Sequence, residues 1–210
     1  MVDCIACTKF AALAPRLSGG ISAISSSILI LAIFRSAERL GTIYHRIMFL
    51  MSVADILFSV AIGLSTLPMP KDLPFEHPPY DGSRLGNNQT CEAQGFFYLF
   101  GLMVMFSYNA MLFVYNTFTI TFQMKEIYII KYVEPFLHLI PLTVGLAIAI
   151  PPFFSKLYSP TTWDAWCSLS AGTENDYTKN ILKLKKIKNV DDMVIVLSGV
   201  FFQLYLSVAY

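Results

Sequence analysis

Few side chains in this sequence could do chemistry, and most of them lie in or beside apolar runs. Asp55 stands inside a run that is otherwise hydrophobic. A carboxylate near the centre of a bilayer costs at least about 2.5–3.5 kcal/mol on insertion scales, so it must face other helices. There it can coordinate a cation or take part in a proton-linked switch. The alternative is a protonated or hydrogen-bonded structural acid, anchored by polar groups such as Asn109. Cys91 opens a long apolar segment and Cys167 lies in a later loop. One bridge between them would pin that loop over the end of a helix, restricting the denatured ensemble by on the order of 4 kcal/mol; two free thiols are the alternative. Asn109 and Asn116 share a helical face at i, i+7, with Tyr115 beside them. That is a polar ladder, whose plainer role is packing glue between helices. Glu134 and His138, at i, i+4, are expected to pair with charges in a basic connector and not to bind metal. Cys4-x-x-Cys7 has no second ligand pair to complete a zinc site. No nucleophile–base–orienter set, metal cluster or glycine-rich phosphate loop occurs, so no enzyme, cofactor or metal is expected.

The elements that must position these residues follow from composition. Of 210 residues, 55% are hydrophobic and 14% charged, where a soluble domain carries about a quarter charged. The net charge of +1 says nothing about nucleic acid, but no basic-aromatic surface or nucleic-acid motif occurs, so no nucleic-acid partner is expected; the lipid bilayer is the solvent. Between Glu92 and Lys125 no charged residue occurs. As a helix that run is roughly 48 Å long, against roughly 30 Å of hydrocarbon, so it must tilt or protrude and touch several neighbours. The reading is an all-α, multi-pass transmembrane helix bundle forming one membrane domain. Helices are expected at about 11–34, 47–67, 93–124, 133–154 and 193–210. Pro68 and Pro70 end the second, and Pro151 with Pro152 breaks the fourth. Ser22, Ser25, Ser26 and Ser27 on the first allow close packing.

Short loops orient the chain. The connectors 35–46 and 125–132 carry Arg35, Arg39, Arg46, Lys125 and Lys131, whereas loop 70–92 carries only Lys71 and Arg84. The positive-inside rule puts both connectors in the cytoplasm, and loop 70–92 and the N-terminus outside. Cys91 and the sequon Asn88-Gln89-Thr90 then lie where disulfides form and glycans are added. The segment 171–192, with Lys179, Lys183, Lys185, Lys186 and Lys188, is an atypical basic loop that would suit the cytoplasm better.

Tyr44-His45-Arg46 leading into Leu50-Met51-Ser52-Val53-Ala54-Asp55 resembles the leucine-to-aspartate signature on the second helix of rhodopsin-like G-protein-coupled receptors. The run Thr90-Cys91-Glu92-Ala93-Gln94-Gly95-Phe96-Phe97 is similar to the start of the third helix in cyclic-AMP-receptor-like receptors. Glu134-Pro135-Phe136-Leu137-His138, with Pro141, is similar to their fourth helix, and Trp166-Cys167 to their second external loop. The expanded receptor-like set of algae and protists resembles it most. The resemblance spans roughly residues 10 to 169. It implies that Asp55 is the switch-related or sodium-responsive acid and that Cys91–Cys167 is the receptor disulfide. It also implies an extracellular ligand and a heterotrimeric G protein as partners, at the plasma membrane. One motif departs: where receptors end the third helix with Asp/Glu-Arg-Tyr, this chain reads Tyr115-Asn116-Thr117. Four to five spans of a seven-helix plan are expected, a truncated receptor that does not signal alone. A small transporter or assembly subunit with Asp55 as its ion carrier is the alternative. The topology predicts a glycan on Asn88: deglycosylation will shift the full chain on a gel, and Asn88→Gln will abolish that shift.

Overall fold

The computed structural model describes residues 5–71, 84–160 and 165–169. The expected fifth span at 193–210 and the basic loop 171–192 lie outside the described residues. Four helical stretches among them are long and apolar enough to cross a membrane: Ala12–Arg35, Ile43–Gly63, Asn88–Thr121 and Glu126–Phe154. They are built from α1 (Ile5–Arg35), α2 (Ile43–Gly63), α3 (Asn88–Asn116), the short α4 (Glu126–Tyr128) and α5 (Glu134–Phe154). A π-helical turn, Thr117–Thr121, extends α3, and another, Ile129–Val133, joins α4 to α5. Two short antiparallel strands, β1 (Tyr158–Pro160) and β2 (Cys167–Leu169), form a hairpin beyond α5, a β element that the all-α reading did not contain.

Capping explains where the helix ends moved. Asn87 Oδ1 accepts from Thr90 N at 2.9 Å and Thr90 Oγ1 accepts from Asn87 N at 2.8 Å. This reciprocal cap starts α3 at Asn88, five residues before the expected start. Thr42 caps α2 by accepting from His45 N at 3.3 Å, so α2 begins four residues early. It ends at Gly63, before the prolines, because Ser65 turns the chain with φ 48°. Pro151 and Pro152 do not break α5 at once; both sit in its last turn, and the helix closes at Phe154.

α3 is the central helix. It packs against α2 on one side and α5 on the other, and both strands lie on it. Tyr108, Ile47, Ile129 and Leu137 centre the largest buried cluster. In lipid the hydrophobic effect does not pull helices together, so close packing of small residues must. The α1–α2 seam shows this. Gly19, Ser22 and Ser26 face Asp55, Ser59 and Gly63, and a Cβ added at Gly19 would lie 2.5 Å from the Ser59 carbonyl oxygen. Gly101 lets α3 approach α2 in the same way, since its Cβ would sit 2.9 Å from Phe58 N.

Gly20, next to the seam, would meet nothing within 4 Å. Gly19→Val is therefore expected to destabilise the bundle by about 1–3 kcal/mol through overpacking, while Gly20→Val leaves it nearly unchanged. Thermal denaturation in detergent measures both. Equal losses in the two variants would refute the seam.

Candidate functional site

Asp55 is half-buried and is held from α1. Its Oδ2 accepts from Ser22 Oγ at 3.0 Å and from Ser26 Oγ at 2.5 Å. These serines lie one turn apart, so both hydroxyls reach one oxygen. The expected partnership with Asn109 is corrected. Asn109 is exposed, and its Nδ2 donates to the Met105 carbonyl of its own helix at 3.0 Å. The reason is angular: Val104, Ser107 and Tyr108 occupy the inward face of α3, and the next residue lies about 100° further round. Asn116 is half-buried, and Tyr115 packs against the Tyr108 cluster as an apolar neighbour. Among the described residues no side-chain hydrogen bond joins Asn109 or Asn116 to another helix, so the ladder is not a shared network. Chemically, the Asp55 site can hold a proton or contribute to a cation shell.

Cys91 and Cys167 do come together, with their sulfurs at a bonding distance of 2.00 Å and Cα atoms 5.5 Å apart. Both are buried, and Met69 covers them. The bond fastens β2 to the first turn of α3. Beneath it lies a residue that sequence reasoning did not single out. Gln94 is 4% exposed; its Nε2 donates to the Ala61 and Ser65 carbonyls, both at 2.8 Å, and its Oε1 accepts from Cys167 N at 3.1 Å. The carbonyls at the end of α2 have no helical partner, and this one amide supplies it. Its position one turn after Cys91 was the available signal, since i and i+3 share a face. Ser65 adds a further tie, its hydroxyl lying 3.2 Å from the Ala12 carbonyl and 3.0 Å from that of Ala165. Tyr158 on β1 completes the fastening by donating to the Ala149 carbonyl of α5 at 2.9 Å. Burial pushes its phenol well above its ordinary value of 10.0, so it stays protonated and able to donate. Trp166 leans on Tyr98, which stacks on Phe58 of α2.

Asn88 is exposed at the start of α3, open to a glycan. The Thr90 hydroxyl of the same sequon lies 2.8 Å from the Pro68 carbonyl. At the opposite end of the bundle Arg46 Nη1 meets Glu134 Oε1 at 2.7 Å, and His138 Nε2 lies 3.5 Å from the same oxygen. Glu134 thus pairs with the connector charge of Arg46, as expected, whereas His138 meets Glu134 and not a connector charge. Glu134 also sits in the first turn of α5, where the helix dipole favours an acid. Among the described residues no group of three His, Cys, Asp or Glu side chains could hold a metal ion.

Comparison with protein-family models, curated protein sequences and solved structures finds no match. Gln94→Leu would leave two carbonyls and the Cys167 amide unpaired, each costing about 1–3 kcal/mol if buried. The expected result is a lower melting temperature in nanodiscs and faster reduction of the Cys91–Cys167 bond by added thiol. If Gln94→Leu matches the exposed-site variant Thr143→Val in both measurements, Gln94 is not the tie.

Proposed function

We propose that this chain is a G-protein-coupled-receptor-like membrane protein of transmembrane signalling, set in the plasma membrane with its N-terminus outside. It takes part in relaying a signal, does not signal alone, and does not catalyse a reaction. The observation that carries this is the Cys91–Cys167 bond seated on Gln94, which fastens a loop hairpin over the end of the central helix. That arrangement suits a bundle whose one end receives an extracellular ligand against a rigid lid. It supports the resemblance carried by the residues around Asp55, Cys91, Glu134 and Trp166. At the other end the helices are joined by an ion pair, Arg46–Glu134, with no covalent tie among the described residues. An ion pair can exchange partners, which suits the end that would meet a heterotrimeric G protein.

A second reading, a small transporter in which Asp55 carries a coupling ion, draws on the all-oxygen neighbourhood of Asp55, Ser22 and Ser26. The two readings separate in one set of membranes. The receptor reading, in which this chain does not signal alone, expects neither guanine-nucleotide exchange above empty membranes nor ion-coupled uptake, and exchange driven by this chain alone would overturn it. The transporter reading expects no exchange, with sodium- or proton-coupled uptake that Asp55→Asn abolishes.

A further inference from the structure

Two side chains able to carry positive charge compete for one carboxylate oxygen at the Arg46 end of the bundle. Glu134, 8% exposed, supplies that oxygen. Its Oε1 lies 2.7 Å from Arg46 Nη1 of α2 and 3.5 Å from His138 Nε2, one turn along its own helix. At the same end Arg46 Nε, His138 Nδ1, His45 Nδ1 and the Tyr108 hydroxyl are buried without a hydrogen-bond partner among the described residues. Tyr108 of α3 is 1% exposed, and its ring lies 6.1 Å from that of His138. Buried polar atoms are nearly always paired, so a cluster of unpaired ones calls for a reason.

From this we infer that His138 is a proton-binding switch that governs the Arg46–Glu134 tie between α2 and α5. Histidine is the side chain whose charge ordinarily changes between about pH 5 and pH 8. With Nε2 facing the carboxylate, the neutral ring carries its proton there and leaves Nδ1 with a free lone pair. A proton from water adds to that lone pair; no other bond forms or breaks, and the ring becomes a cation. Two full cations then face one oxygen. The geometry decides which keeps it. His138 shares a helix with Glu134 at i, i+4 and can close the 3.5 Å by rotating side chains alone. Arg46 comes from another helix, its side chain is 33% exposed, and its Nη2 already lies 3.5 Å from the Gly41 carbonyl. A guanidinium so placed loses little by turning to Gly41 and water. Protonation therefore hands Glu134 to His138 and unfastens α2 from α5 at this end; at higher pH the Arg46 contact returns.

The neighbouring groups leave the titration to an imidazole. From α3 His138 meets Tyr108, with Tyr115 packed on the same cluster; phenols are neutral in this range. From α2 come Arg46, whose charge is permanent, and His45 beside it in sequence. Lys125, Glu126 and Lys131 of the connector are exposed, and Lys131 stands over the Tyr132 ring at 5.3 Å. The His138 side chain is 22% exposed, so the ring is not sealed off. A switch here acts whether or not the chain belongs to a receptor.

The test uses the full chain in nanodiscs, with spin labels on unnatural side chains at Tyr44 and Phe136, exposed residues near the starts of α2 and α5. Pulsed electron resonance measures their separation at about pH 8 and about pH 5. The expected result is a distance that lengthens by a few ångströms at the lower pH and recovers at the higher. His138→Gln should hold the short distance at both, because an amide can donate to Glu134 but takes up no proton. Arg46→Gln should give the long distance at both, and His45→Gln should respond as the unaltered chain does. The same distance at both pH values in the unaltered chain would overturn the switch. So would a response that survives His138→Gln, which would trace it to an acid such as Glu134 or Asp55, or one lost in His45→Gln. If His138→Gln does not fold, a pH-dependent distance in Arg46→Gln or a pH-independent one in His45→Gln overturns it equally.

Discussion

A backbone group left over at a helix end and buried in packed protein has no water to satisfy it, and this constraint organises the Cys91 end of the molecule. α2 stops short of the prolines, so its last carbonyls point into packed protein. From α3, Gln94 donates to the Ala61 carbonyl of α2 and to the Ser65 carbonyl just beyond its end, and accepts from the Cys167 amide. One side chain thereby sets the relative height of α2, α3 and the hairpin. The disulfide next to it fastens the same residue, Cys167, covalently to the first turn of α3. Ser65 and Tyr158 add ties of their own, from the Ser65 hydroxyl to the Ala12 and Ala165 carbonyls and from the Tyr158 hydroxyl to the Ala149 carbonyl of α5.

The two ends of the bundle are consequently of different kinds. At one, backbone groups and a covalent bond fasten a loop to three helices. At the other, Arg46, Glu134 and His138 share a single carboxylate oxygen beside the Tyr108 cluster. An ion pair in a partly wet setting is worth little and rearranges readily, whereas a bonded loop does not. Between them Asp55 is tied to α1 and not to the central helix, so any change in its charge would act first on the α1–α2 seam. That seam is made of glycine and serine, where fractions of an ångström decide contact.

Much of the fold was legible because the bilayer imposes simple rules. Long apolar runs with few charges have to be helices of spanning length, and 11–34, 47–67, 93–124 and 133–154 each correspond to one. The pairing of Glu134 with a connector charge was also readable, since a buried acid needs a cation and Arg46 was close in the plan. Helix ends were read less well, because caps such as Asn87–Thr90 and Thr42 depend on one or two side chains. Hydropathy does not register them. The hairpin was missed for a related reason: three-residue strands carry almost no periodic signal, and these are held by contacts with α3.

Charge, hydropathy and the placement of two cysteines were enough to establish a membrane-spanning helical chain with a candidate bridge and one acid at depth. Those properties belong to single segments, which partition into lipid much as they would alone. Which neighbour each polar group meets was decided only in three dimensions. Asp55 meets Ser22 and Ser26 and not Asn109, because helix rotation about its own axis is set by small-residue seams between helices. Gln94 became central for the same reason, since its three partners lie 29, 33 and 73 residues away and meet only after the helices have packed.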